Sequence, residues 1–502
     1  MTEEKDTTVE EKPVSKIQAT AEKKPEEFVL TDELRKQALE KPVFKILYVG
    51  DGDSRLAPFR GETMLKTFST FYERQADIQY YTVTSAKFAN MNIDDLVDVN
   101  IIWMDNVSTF AAAKNLADIQ GDLMEDIEPG WKDKFKELDE KDKEAALKYA
   151  TEINKKRNDK LKIVYALDEF IWEGPIGRSH DVQTVQLMET AMNIADTIVV
   201  PNPELREAII YFKFTQDPDK DVYVIPSSVS IDFFPLYKNF TKTGKAELSQ
   251  LRDKPKVLIK GLTIPKNVEE FIVNNYKKMD ITISSVDEVN DHVRGLLSRQ
   301  KISHIYHWAN PYVHRGNINA TYAIERDTCF DFVIHTKPDT LQGNMYEITT
   351  GDEDILFSIS YGALPICGVD DMGYDKESRH LAVASGVTFG KDTSSKKLAK
   401  IIEKYQTPVM FNEVFNKCRQ MVENRISTSP LVIARYFAVM LGKDMSQARA
   451  AIAREKKKEI EDNEQKIKEQ SEKTEVKQEV KQAVVTDDVP DNVIEADFKK
   501  EA

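Results

Sequence analysis

Twelve short runs of β-branched and aromatic residues, in two series of six, alternate with helix-forming segments along this 502-residue chain. That alternation is the pattern of parallel sheets covered by helices on both faces. The first series is FKILYVG (44–50), IQYYTVT (78–84), VNIIWMD (99–105), LKIVYAL (161–167), DTIVVPN (196–202) and DVYVIPS (221–227). A polar connector, NFTKTGKAELSQLRDKP (239–255), separates it from the second: KVLIKG (256–261), DITISSV (280–286), ISHIYHW (302–308), FDFVIHT (330–336), ALPICG (363–368) and GVTFG (386–390). The expected architecture is therefore α/β, with two Rossmann-like doubly wound domains over residues 41–240 and 255–425. Their strands' carboxyl ends should face a cleft, where open α/β sheets bind ligands. A charged stretch at 130–160 reads as an inserted surface helix.

Composition bounds the rest. Residues 1–40 and 454–502 each carry a net charge of −4, more than half of the total of −15, and hold few apolar anchors. Such segments do not offset their chain entropy, so 1–40 is expected to be a disordered charged tail. Residues 444–502 are expected to begin as a solvated helix, to about 475, and then fray. Ile452, Ile460 and Ile467 are too isolated for sustained heptads. The acidic balance disfavours nucleic acid as a partner. Protein partners, if any, are expected through the tails. No apolar run approaches the ~20 residues of a membrane span, and the acidic start is the opposite of a signal peptide. Cys329, Cys367 and Cys418 show no paired spacing, which fits a reducing, cytoplasmic setting.

Polar residues gather where the runs end. After the first, Gly50, Asp51, Gly52, Asp53 and Arg55 offer hydrogen bonds suited to a polyhydroxyl ligand, or form an ordinary strand-to-helix turn; Arg55 stands where a dinucleotide fingerprint needs a small residue. After the fourth, YALDEFIWEGPIGRSHD (165–181) carries Asp168, Glu169, Arg178 and His180 in a loop broken by Gly and Pro. In the second series Lys260 ends a strand, and Lys266 precedes a helix that begins near Asn267. The two ammonium groups read as an anion clamp for a diphosphate, or as exposed lysines in a turn. Further on, His335 follows a strand and Gly343 and Asn344 permit tight backbone. Glu347 is a ligand candidate, and Asp352, Glu353 and Asp354 read first as helix-capping carboxylates. The histidines show no i,i+4 metal pair, so no metal is expected.

Taken in order, these segments resemble the GT-B fold glycosyltransferases of the group 1 (family 4) type. The resemblance runs through ADTIVVPNPELREAI, YVIPSSVSIDFF, VLIKGLTIPKNV, DILFSISYGALPICG, GVTFGKDTSSKKLAKII and STSPLVIARYFAVML, and covers about residues 43–443. It implies a nucleotide-sugar donor on the second domain, with no further cofactor, and transfer with retention. Lys260, Lys266 and Glu347 would be catalytic, and His335, Gly343, Asn344, Asp354 and Ser358 would bind the donor. Gly50, Asp51, Gly52, Arg55, Asp168, Arg178 and His180 would bind the acceptor. The resemblance also makes residues 426–443 a helix that crosses back to the first domain. The sequence departs from the family pattern at four positions: Thr349 and Phe357 stand where the carboxylate pair should be, Gly261 replaces an arginine and Leu167 a histidine. The alternative reading is a catalytically degenerate GT-B chain, a structural or interaction component of a viral or other large assembly.

Overall fold

The computed structural model describes residues 28–50, 61–105, 109–168, 170–172, 182–212, 221–229, 254–261, 264–285, 289–305, 325, 328–336, 353–368, 387–390, 392–426 and 428–486. All twelve runs contain strands. Six form one parallel sheet in the order β2-β1-β3-β4-β5-β6: β1 (Val43–Val49), β2 (Asp77–Val83), β3 (Ile101–Asp105), β4 (Lys162–Ala166), β5 (Thr197–Val200) and β6 (Asp221–Val224). The other six form a second parallel sheet in the order β12-β11-β10-β7-β8-β9: β7 (Lys256–Gly261), β8 (Asp280–Ser285), β9 (Ser303–His304), β10 (Phe332–His335), β11 (Leu364–Gly368) and β12 (Thr388–Phe389). Strands β3, β4, β5, β10 and β11 are buried at every position, which is why their sequences are continuous apolar runs rather than alternating ones.

The first sheet is accompanied by α2 (Glu62–Phe71), α3 (Ser85–Phe88), α4 (Phe110–Ile127), α5 (Trp131–Lys141), α6 (Lys143–Lys160), α7 (Val182–Ile194) and α8 (Pro203–Phe212). The stretch expected to be one surface helix is two. Asp142 leaves helical geometry at φ −153° and its carboxylate accepts from the Glu144 and Ala145 amides, so it ends α5 and caps α6. Near the end of α6, the buried Arg157 forks onto Asp196, with Nη1 3.0 Å from Oδ2; the same Asp196 oxygen accepts from the Ile163 amide at 2.8 Å. One ion pair thus ties α6 to the starts of β4 and β5.

Helices α9 (Lys266–Asn275), α10 (Asp291–Ser298), α11 (Glu353–Ser360), α12 (Ser395–Tyr405) and α13 (Pro408–Glu423) belong to the second sheet, and α14 (Pro430–Leu441) returns to the first. Val432, Ile433, Tyr436, Val439 and Met440 of α14 share a core with Phe44, Ile46 and Tyr48 of β1; Leu47 and Val49 face the opposite core, as period two requires. The Tyr436 ring stacks on Trp103 at 5.5 Å and meets Phe68 edge-on at 4.9 Å. The buried Lys162 ammonium donates to the Val439 carbonyl, placing a cation where the helix macrodipole is negative. Outward, the chain passes from the first core at Ile225 to the second at Val229. Val229 forms a parallel bridge with Ile426, its amide 2.9 Å from the Arg425 carbonyl, so the two crossing segments are paired.

A separate unit contains α1 (Asp32–Leu39) and nearly all of α15 (Lys443–Thr486). Residues 32–39 fall in the stretch that composition assigned to a tail. They fold because Ala38 and Leu34 pack with Met445, Ala448 and Ile452, and because Arg35 forks onto Glu455 at 2.8 and 2.9 Å. Beyond that contact Ile460 is exposed, as a solvated helix predicts.

Candidate functional site

In each sheet the strand order reverses at one point, and the crevice at the carboxyl ends there is where doubly wound sheets bind ligands. In the second sheet that point lies between β7 and β10. Register places Lys260 of β7 beside His335 of β10. Lys260 is only 5 % exposed, and its ammonium is held by both Glu325 oxygens at 2.8 and 3.1 Å and by Asp354 Oδ1 at 3.1 Å. Burial pulls its pKa down, but the charges of Asp354 and Glu325 outweigh this and raise it, so the lysine stays protonated. The charge expected to meet a diphosphate is therefore already balanced. Asp354, in the first turn of the helix Glu353–Ser360, is an ion-pair partner, and its side chain keeps 28 % exposure.

Helix α11 carries the rest of this constellation. His335 Nε2 lies 3.2 Å from the Ser358 hydroxyl, which donates to the Ile355 carbonyl at 2.8 Å. Glu353 is 2 % exposed and accepts from Ser227, on the segment leaving the first domain. Phe357, at the position of a family carboxylate, is core: it is 2 % exposed and meets Tyr361 edge-on at 5.3 Å.

Gly261 is closed to substitution. A Cβ there would overlap the Thr336 hydroxyl oxygen and lie 2.8 Å from the Thr336 carbonyl oxygen. The Thr336 amide is itself fixed to the Lys260 carbonyl at 2.8 Å, so the neighbour cannot withdraw freely. Overpacking of this kind makes Gly261→Ala destabilising by about 1–3 kcal/mol, read as a shift of the urea midpoint. An unchanged midpoint would show that β10 yields.

The first sheet reverses between β1 and β3, and there the Tyr48 hydroxyl donates to Asp105 Oδ2. Burial raises the Tyr48 pKa well above the ordinary tyrosine range, reinforced by Asp105 and Asp168; Tyr165 is raised by burial and the same two carboxylates. Gly50 follows β1, its amide 3.1 Å from the Val83 carbonyl, and Asp168 is buried just beyond β4.

Against this geometry, no family model matches the chain and no curated protein matches it. Among solved structures, HepE of Anabaena in complex with UDP and glucose is 12 % identical, covering 83 % of this chain and 100 % of its own, at a TM-score of 0.38. A glycosyltransferase from Rickettsia africae is 12 % identical over 80 % of this chain and 99 % of its own, at 0.43. A UDP-glucose:anthocyanidin 3-O-glucosyltransferase in complex with UDP is 8 % identical over 80 % and 99 %, at 0.31. These are likenesses of fold. What the present chain is built as, two Rossmann-like α/β domains, stands on its own strand orders.

The structure brings Lys260, His335, Asp354 and Ser358 together around one switch point. Lys266 is exposed at the first position of α9, beyond Pro265, which supplies no side-chain cap. Gly50 and Asp168 lie at the carboxyl end of the first sheet. Glu347, Gly343, Asn344, Asp51, Gly52, Arg55, Arg178 and His180 lie outside the described residues. Three residues escaped the sequence reading: Glu325, Tyr48 and Asp105. Asp105 and Tyr48 had a signal, as polar groups ending adjacent runs; Glu325 had none. Among the described residues, no group of three or more His, Cys, Asp or Glu is placed to hold a metal ion, and no helix is long and apolar enough to cross a membrane.

The buried acids predict alkaline lability. Tyr48, Tyr165 and Tyr361 are raised, chiefly by burial, and burial pushes the Cys418 thiol up to about 12. The folded state therefore keeps protons that the unfolded chain releases above ~8.5 for the thiol and ~10 for the phenols. Stability must fall as pH rises through that range. Urea titrations between pH 8 and 11 should show the decline, most steeply above ~10 where the phenols ionise; a flat profile would contradict these burials.

Proposed function

We propose that the chain is a glycosyltransferase-like protein. It takes a nucleotide sugar at the carboxyl end of its second sheet and transfers the sugar, with retention, to an acceptor held at the carboxyl end of the first. The observation that supports this best is the gathering of Lys260, Glu325, His335, Asp354 and Ser358 at the β7/β10 switch point. In this reading the diphosphate lies against the uncapped α9 N-terminus, where amides and macrodipole favour an anion, with Lys266 adding charge. The partly exposed Asp354 carboxylate, held by Lys260, accepts from the ribose hydroxyls. When the bond from the anomeric carbon to the diphosphate breaks, the electron pair stays on the diphosphate, whose charge meets those donors. Glu347, Gly343 and Asn344 complete the donor side; Gly50, Asp51, Gly52, Arg55, Asp168, Arg178 and His180 serve the acceptor. The three cysteines are free thiols, as a reducing cytoplasm would keep them.

Titration calorimetry with UDP, GDP, CDP and ADP tests the reading. One of them should bind, and Lys266→Ala should weaken it roughly tenfold, as loss of one charge-assisted contact does. Binding by none would contradict the reading. A second reading, a GT-B chain that no longer transfers sugar and serves as a structural component, is favoured by the core position of Phe357 and the closed position of Gly261. Nucleotide binding without release of free sugar or product from any nucleotide sugar would select it.

A further inference from the structure

The segment on which the chain changes domains is tied by a side chain to the helix that carries the candidate donor site. Ile225 belongs to the first core, its amide 2.8 Å from the Val200 carbonyl, and Val229 to the second, its amide on Arg425. Between them Ser227 and Ser228 are 2 % and 1 % exposed, and the Ser227 hydroxyl donates to Glu353, itself 2 % exposed. Glu353 is the first residue of α11. The next residue is Asp354, the Lys260 partner, and one turn on is Ser358, the His335 partner. Ser227, Ser228 and Glu353 are all buried, so a shift of Glu353 at the start of α11 bears directly on its bond to Ser227.

We propose that the Ser227–Glu353 hydrogen bond is a coupling device. It links the position of the α11 first turn, and through Asp354 the occupancy of the donor site, to the segment that crosses from the first core to the second. The donor half rests on the function proposed above; the mechanical half, that Ser227 holds the α11 first turn, does not. A ligand moves such an equilibrium only through contacts that differ between its two states. Here the differing contact is a buried hydrogen bond, made or broken as Asp354 is drawn toward a ligand or released.

Hydrogen exchange of the full chain, read by mass spectrometry, separates the two halves. Wild type, Ser227→Ala and Ser227→Thr are compared alone and with millimolar UDP, GDP, CDP or ADP. Without nucleotide, Ser227→Ala should exchange roughly tenfold faster both at 225–229 and over 353–361, while Ser227→Thr, which keeps the hydroxyl, behaves as wild type. With nucleotide, wild type should gain protection in both segments and Ser227→Ala only over 353–361. A change confined to 225–229 in ligand-free Ser227→Ala would overturn the coupling, as would equal nucleotide protection of both segments in wild type and Ser227→Ala. If none of the four nucleotides protects any segment of wild type, the donor reading fails, and the ligand-free comparison still decides the mechanical claim.

Discussion

Lys260→Met is expected to lower the stability of the second domain by about 3–5 kcal/mol, the cost of removing one partner of a buried ion pair. Two carboxylates converge on the Lys260 ammonium, and Glu325 has no exposure with which to recover solvation. Methionine fills similar volume, so packing changes little and the loss reports on charge. The companion variant Lys260→Met/Glu325→Gln also removes the Glu325 charge and should regain most of the deficit, because an apolar or neutral replacement of a whole buried pair is close to neutral. Urea unfolding of the single and double variants measures both. A single-variant loss under about 1 kcal/mol, the range of exposed pairs, would mean that Lys260 is not the counter-charge the geometry makes it.

Arg157→Met should cost a similar amount, about 3–5 kcal/mol, in the first domain. The guanidinium is 1 % exposed, and its fork fixes Asp196, whose carboxylate also receives the Ile163 amide. Arg157→Lys should rescue only part of the loss, since a point charge cannot make both bonds of the fork. The exposed fork between Arg35 and Glu455 is the control: Arg35→Ala should cost far less than Arg157→Met. Equal losses at the two sites would show that burial is not what separates them.

The layout was legible because buried parallel strands must be apolar end to end. All twelve runs became strands, and polar residues at their ends, Lys260 and His335 among them, reached the second switch point. What a run cannot show is which residues it meets. The Tyr48–Asp105 bond spans 57 positions, and Lys260 to Glu325 spans 65. Glu353 and Asp354 read locally as helix caps, because acidic residues at a helix start ordinarily serve the macrodipole. Their partners, Ser227 and Lys260, come from other elements, and that tertiary demand prevails. The same limit hid α1. Residues 32–39 are too polar to fold alone, and their apolar partners lie more than four hundred positions later, on α15. Two of the residues that set this sequence apart from the pattern it resembles have structural roles of their own: Phe357 fills a core, and Thr336 occupies the space a side chain at 261 would need.

Whether a nucleotide sugar occupies the β7/β10 switch point is decided by an experimental density map of the protein with UDP, GDP, CDP or ADP, whichever binds. Diphosphate density is expected at the start of α9 beside Lys266, with the ribose against Asp354. Density at the carboxyl end of the first sheet alone, or none with any of the four at saturating concentration, would contradict a donor site there.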